Sequence, residues 1–354
     1  LPDGYPMPLP IPRNAEEITP DWLSAALGWT VSDCTAQRIG HNESFTGGSL
    51  IRLELVSSAL DSPATIIAKL SARRPAFRKA LAEANRREVG FYTSCVTGRD
   101  LPLPRCYYAD FEKTSGQSIA LLEDFPKART ADFVEGCSLE DAKTVITAMA
   151  RIHAGYWGAT ATENSWLPEF DFAQCWAAYP AQLARILPQK ALPDWFCRLG
   201  DHLAVQPELF ARLQGAGPQT CIHRDLQLDN VLFTPQGAVV LDWQFTGHGN
   251  GGSDLGYFLI SSLTPAQRRA GERDLIRHYH QELLGQGVRS YSLQECQKSY
   301  VISVLGKMFL TVIATVLFDN SSEQKRAWRR ADLERLLAFC VDYDVTPELL
   351  KTHG

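Results

Sequence analysis

No Cys-x-x-Cys pair occurs in this 354-residue chain, although it contains nine cysteines. An odd number cannot pair completely. Cysteines scattered from Cys34 to Cys340 support neither a disulfide framework nor a zinc site. A reducing compartment, the cytoplasm, is therefore expected. No charged-then-apolar segment opens the chain, so no secretory signal is expected; the first residue is Leu1 rather than Met. No long apolar run escapes interruption. The most apolar stretch, Val301 to Phe318, carries Lys307 near its middle and reaches only the lower length limit for a membrane span. It reads instead as part of a buried core helix over 292–318, with Ser292 and Glu295 spaced as a capping box at its start. Positive charge is not in surplus either: 35 Lys and Arg stand against 40 Asp and Glu, a net charge of −5. That balance predicts no general attraction to nucleic acid or anionic membrane, and it selects no cationic substrate. There is no internal repeat, and the only biased segment is an extended arm with five prolines among the first twelve residues.

What is present is an ordinary globular composition, 45% hydrophobic and 21% charged, at a length that suits two domains or two lobes. After a short helix over Asp21–Leu27, strand patterns cover Cys34–Gly40, Ser49–Val56, Thr65–Leu70 and Ile119–Leu122, with a helix over Phe77–Cys95. Beyond residue 125 helical patterns dominate: Leu139–Trp157, Pro265–Leu284, 292–318 and Glu323–Tyr343. A strand-rich first third and a helical remainder predict an α+β chain. The boundary falls near Glu123–Pro126, giving domains of 1–125 and 126–354.

The densest chemistry lies in Cys221-Ile222-His223-Arg224-Asp225-Leu226-Gln227-Leu228-Asp229-Asn230 and the apolar segment after it. Thr234-Pro235-Gln236-Gly237 is a turn sequence. Folding on it pairs Phe233 with Ala238 and sets Asn230 opposite Leu241, which brings Asp242 to the same end of a hairpin. An amide oxygen and a carboxylate are hard donors suited to magnesium. Asp225, at the approach to that end, is placed to accept a proton from a substrate hydroxyl. A turn whose Asp and Asn serve only as caps is the competing reading.

A second constellation precedes residue 125. Lys69 ends an apolar strand, and in the next helix Phe77, Leu81, Ala84, Glu88, Phe91 and Cys95 form one stripe. Glu88 within an apolar stripe needs a partner, and Lys69 is the nearest candidate; otherwise Glu88 sits at the rim and reaches water. Gly247, Gly249, Gly251 and Gly252 form a glycine cluster, but no Lys-Ser or Lys-Thr follows, so it is not a phosphate loop of the Walker kind. Ser253 or Asp254 is expected to cap a helix over Leu255–Leu263. His153 falls on an apolar stripe and reads as a core histidine. His278 and His280 point to different helix faces and are assigned nothing.

Taken in order, the glycine-containing loop, strand Lys69, helix Glu88, Leu121-Leu122-Glu123-Asp124-Phe125, His223-Arg224-Asp225…Asn230 and Leu241-Asp242-Trp243-Gln244 resemble the aminoglycoside phosphotransferase and choline kinase-like superfamily. Asp-Trp-Gln and the segment Met149 to Trp157 lean toward its ecdysteroid kinase-like branch. The resemblance spans about Gly40 to Leu263. It implies a bilobal protein-kinase-like fold and phosphorylation of a small-molecule hydroxyl by ATP with magnesium. By that resemblance Asp225 is the catalytic base with His223 beside it, and Asn230 and Asp242 hold the metal. Lys69, braced by Glu88, contacts phosphates, and Thr46, Gly47 and Gly48 cover them. The backbone of Glu123, Asp124 and Phe125 receives adenine, and Asp254 braces the catalytic loop. Several spellings depart from protein kinases. There is no Gly-x-Gly-x-x-Gly, Asp-Phe-Gly is replaced by Asp-Trp-Gln, no Ala-Pro-Glu follows, and only eleven residues separate Asp242 from Asp254. A protein kinase is thus the weaker alternative, beside a nucleotide-binding scaffold without turnover.

Trp157, Trp166, Phe170, Phe172, Trp176, Tyr179, Trp195 and Phe196 crowd the stretch before the catalytic segment. They suit an acceptor pocket for a hydrophobic alcohol or quaternary ammonium, or else they build the helical core. Six acids against four bases over 158–219 do not favour an aminoglycoside. The acceptor stays open among antibiotic, amino alcohol, sugar and sterol-like compounds, and the sequence assigns no oligomeric state.

Overall fold

The computed structural model describes residues 9–39, 48–95, 100–158, 192–206, 208, 212–213, 215–317 and 322–346. The chain falls into two units: Leu1–Pro126 with Asp242–Phe245, and Lys127–Leu241 with Thr246–Gly354.

In the first unit, Thr19 accepts from Trp22 N, Pro20 occupies the first turn, and Gly28 adopts φ +76 beyond the last. These start and stop helix α1, Pro20–Leu27, as cap chemistry requires. Strands β1 (Val31–Ile39), β2 (Ser49–Ser57) and β3 (Thr65–Leu70) follow. Next come helices α2 (Pro75–Ala80) and α3 (Ala82–Gly90), then strands β4 (Cys106–Glu112) and β5 (Gln117–Glu123). The strands form one antiparallel sheet in the order β1-β2-β3-β5-β4. Alternation is clean on β3, where Ile66, Ala68 and Leu70 are buried and Lys69 lies on the other face. Trp22, Leu23 and Leu27 of α1 join Ile51, Leu53, Ile66, Ala68, Ile119 and Leu121 in a single apolar core.

Two expectations are corrected in this unit. The helix expected over Phe77–Cys95 is broken at Leu81 and ends in a π-helical turn, Phe91–Cys95. Phe77 is 52% exposed, so the buried stripe begins only at Ala84. Strand β4 was not expected: Cys106 to Phe111 are all half-buried, so no alternation of faces is there to read.

The second unit begins with α4, Leu139–Gly155, capped by Ser138 accepting from Asp141 N, and α5, Asp194–Ala204. Strand β6 (Thr220–Ile222) pairs with β9 (Gly247–Gly249), and β7 (Val231–Thr234) pairs with β8 (Gly237–Val240). The β7–β8 register joins Phe233 to Ala238, as the turn sequence implied. Helix α6, Gly252–Ser262, starts three residues before the expected Leu255, and neither Ser253 nor Asp254 caps it: its N-cap is Gly251, with no side-chain hydrogen bond. Asp254 instead lies inside the first turn. Helices α7 (Pro265–Gly285) and α8 (Leu293–Ile302) both open with capping boxes, Thr264 with Gln267 and Ser292 with Glu295. Helices α9 (Val304–Leu317) and α10 (Glu323–Asp342) complete the unit.

The helix expected over 292–318 is two helices. Ser303 interrupts it by donating its hydroxyl to Tyr300 O at 2.6 Å, a local bond that competes with the helical ladder. Gly256 of α6 packs at this break, and a Cβ there would run into Ser303 Oγ and the Tyr300 carbonyl. Gly256→Ala is expected to destabilise the protein by about 1–3 kcal/mol through overpacking, read as a lower urea midpoint at unchanged slope. Among the described residues no helix is long and apolar enough to cross a membrane.

Candidate active site

In the first unit Lys69 projects from β3 between two carboxylates. Its Nζ lies 2.7 Å from Glu88 Oε1 on α3 and 2.9 Å from Asp242 Oδ1. Glu88 therefore has the partner its place in the apolar stripe demands. Burial pushes the Glu88 carboxyl up to about 6, against the Lys69 ammonium and a backbone bond from Trp243, with the Asp242 charge adding to the rise. Burial also disfavours the Lys69 ammonium, yet the Asp242 and Glu88 charges outweigh it and hold its pKa above the ordinary lysine value. Asp242 adopts φ +60, an uncommon conformation for a residue with a Cβ. Trp243 after it stacks on Phe91 with centroids 4.0 Å apart, which ties residues 242–245 to this unit. The Asp242 side chain is 37% exposed, leaving carboxylate oxygen accessible beside the ammonium.

At the end of β5, Glu123 N donates to Arg105 O and Glu123 Oε2 accepts from Arg105 N. Asp124 is bound by Arg52 of β2 through two hydrogen bonds, 2.7 and 3.1 Å. Phe125 is half-buried. Of the proposed phosphate-covering loop, Gly48 is described, whereas Thr46 and Gly47 lie outside the described residues.

In the second unit the segment between β6 and β7 is held from several sides. Asp254 accepts from His223 N at 2.6 Å and Arg224 N at 2.8 Å, and its carboxylate lies 3.2 Å from His153 Nε2. His153 Nδ1 is 2.8 Å from Tyr279 Oη, so this histidine is a satisfied core residue. Burial alone would raise the Asp254 carboxyl, but the His153 bond and the His223 amide hold it below the usual value. Arg224 takes φ +68, and its guanidinium donates to His248 O. It occupies the space a Cβ at Gly247 would need, so that glycine of the cluster serves close packing. Four described residues with side chains are left-handed, Arg224, Asp242, Ser290 and Asp344, and the first two fall within the motifs singled out from sequence.

His223 engages the main chain through both ring nitrogens. Its Nδ1 accepts from Asp225 N at 3.2 Å, and Nε2 lies 2.7 Å from Leu241 O, which places the ring proton on Nε2. Asn230 Nδ2 donates to Asp225 O at 2.8 Å, so the amide oxygen is the end this side chain offers elsewhere. Asn230 O accepts from Leu241 N at 2.9 Å, extending the β7–β8 ladder to the residue before Asp242. Asp225 Oδ1 accepts from Tyr257 Oη at 2.8 Å. Tyr257 was not singled out from sequence. Its only signal is its place one helical turn after Asp254.

The aromatic insert is partly described. Phe196 is fully buried, Trp157 meets Tyr291 edge-on, and Trp195 meets Phe196. Trp166, Phe170, Phe172, Trp176 and Tyr179 lie outside the described residues. His278 bonds to Thr147 and His280 to the Tyr291 carbonyl, both structural contacts.

A sheet-bearing unit with a strand lysine paired to a helix glutamate, and a helical unit whose His-x-Asp-x4-Asn segment runs into a hairpin, define a protein-kinase-like fold. Residues 63–291 match the phosphotransferase enzyme family. The chain belongs to that family. Among solved structures it is similar to a choline kinase from Cryptosporidium parvum Iowa II, at 12% identity and TM-score 0.57, covering 94% of this chain and 96% of that one. Choline kinase LicA from Streptococcus pneumoniae shows 15% identity and TM-score 0.54, covering 91% and 99%. Amicoumacin kinase hAmiN, solved with AMP-PNP and calcium, shows 11% identity and TM-score 0.53, covering 92% and 94%. No curated protein matches.

Proposed function

We propose that this phosphotransferase moves the γ-phosphate of ATP, with magnesium, to a hydroxyl of a small molecule. The observation that carries the reading is the anchored Asp225. His223 holds its amide, Asn230 holds its carbonyl and Tyr257 holds one carboxylate oxygen, so the carboxylate is pre-positioned. When bound, magnesium ATP supplies the phosphoryl group, and the metal neutralises charge on the phosphate oxygens.

Asp225 orients the acceptor hydroxyl and takes up its proton. His223 acts by positioning that loop, since both its ring nitrogens serve main chain. The Asn230 amide oxygen and the accessible Asp242 carboxylate are hard donors of the type magnesium prefers. Lys69, held by Glu88, meets the phosphates; Thr46, Gly47 and Gly48 cover them; and main chain at Glu123, Asp124 and Phe125 receives adenine. The acceptor belongs to the range of antibiotic, amino alcohol, sugar and sterol-like alcohols, with Asp242-Trp243-Gln244 supporting the ecdysteroid kinase-like branch. The working compartment we propose is the cytoplasm.

Coupled ADP release with magnesium ATP, screened across aminoglycosides, macrolides, choline analogues, sugars and sterols, tests this. The expected result is release stimulated by one acceptor class and abolished by chelation. Lys69→Met should lower kcat/KM for ATP by about 10²-fold, the scale for losing one preorganised charge donor. Nucleotide binding without release for any acceptor would favour a scaffold, and absence of both would overturn the reading.

A further inference from the structure

We propose that Tyr257 is a positioning residue for the Asp225 carboxylate, set in place by the buried Lys307–Asp332 pair. The proposal rests on the reading of Asp225 as the group that orients the acceptor. Helix α6 grips the catalytic segment twice, one turn apart. Asp254 takes the amides of His223 and Arg224, and Tyr257 donates its hydroxyl to Asp225 Oδ1 at 2.8 Å. The first grip fixes the main chain, and the second fixes the carboxylate itself. Oδ1 is thereby committed to the phenol, while Oδ2 lies 3.3 Å from Asn230 Nδ2.

Lys307 explains why the phenol stays there. The lysine is 1% exposed in an apolar helix, with its Nζ 4.2 Å from the centroid of the Tyr257 ring. That ammonium pairs with Asp332 Oδ1 at 2.6 Å, and Asp332 Oδ2 accepts from Thr311 Oγ1 at 2.8 Å. A well-packed apolar group in place of such a buried pair is often neutral or stabilising. What the pair provides here is a fixed cation on the ring face, which holds the ring and strengthens its hydroxyl as a donor. The charged groups around the phenol are Asp225, Asp254, Asp332 and Lys307. Burial, joined by the Asp225 and Asp332 charges, pushes the phenol well above its ordinary value, so it remains a donor throughout the working pH range.

Tyr257→Phe keeps the ring over Lys307 and removes only the hydroxyl that Asp225 accepts from. For ADP release from magnesium ATP with water as acceptor, its kcat is expected to fall about tenfold at unchanged KM for ATP, a split that a general loss of structure would not produce. The double variant Lys307→Met with Asp332→Asn should lower kcat in the same direction by less, and it decides the matter if Tyr257→Phe fails to fold. Wild-type kcat in the folded Tyr257→Phe variant overturns the role of Tyr257. Wild-type ADP release in Asp225→Asn overturns the base reading instead, whatever Tyr257→Phe shows.

Discussion

Asp225→Asn is expected to lower kcat for phosphoryl transfer about 10³-fold, within the range that a positioned acid–base group contributes, with KM for ATP nearly unchanged. The substitution is close to isosteric. The amide oxygen of Asn can still accept from Tyr257 Oη, and the main-chain bonds from Asn230 and to His223 do not involve the side chain, although the longer 3.3 Å bond from Asn230 Nδ2 to Oδ2 is given up. The change therefore removes charge and proton affinity while leaving the segment in place. Steady-state kinetics together with a thermal melt separate the two: activity falls and the melting temperature holds. A variant that retained wild-type turnover would show that the carboxylate neither accepts a proton nor orients the acceptor.

Asp254→Ala should have the largest effect on stability, about 3–5 kcal/mol, because it strips the acceptor from buried donors. The amides of His223 and Arg224 and the ring of His153 all converge on this carboxylate. Arg224 sits at φ +68, a conformation that persists only when its surroundings enforce it, so the loop relaxes as well and activity goes with it. Chemical denaturation measures the loss. The same carboxylate predicts a pH dependence. Burial pushes its carboxyl up, but the His153 bond and charge and the His223 amide outweigh this and hold its folded pKa below the usual value. A depressed carboxylate contributes stability that is fully present above its unfolded value and is lost as pH falls through the folded one. Wild-type unfolding free energy should thus decline on acidification below about pH 4, and Asp254→Asn should lose that component of the slope. An identical acid profile in the variant would show that Asp254 does not carry it.

Parts of this site are legible one residue at a time. The 4-3-4 spacing puts Glu88 on a buried stripe, and a buried carboxylate requires a cation; Lys69 meets it at 2.7 Å. The turn Thr234–Gly237 sets the β7–β8 register, and the register carries Asn230 to Leu241. These follow from periods and turn chemistry, which are local. Where local signals weakened, expectations drifted. Ser303 breaks a helix that apolar patterning draws as continuous, since its hydroxyl competes for the Tyr300 carbonyl. Asp254 sits inside a helix rather than capping it, because two amides thirty residues earlier recruit its carboxylate.

By itself the sequence determined the α+β class and the register of the Thr234–Gly237 hairpin, since both depend on short-range patterning. Only the tertiary structure decided that residues 242–245 pack with the first unit, that Lys69 is shared between Glu88 and Asp242, and that Tyr257 grips Asp225. Those facts join residues up to 173 positions apart. Contacts at that separation depend on how whole layers pack, and no period in the chain encodes them.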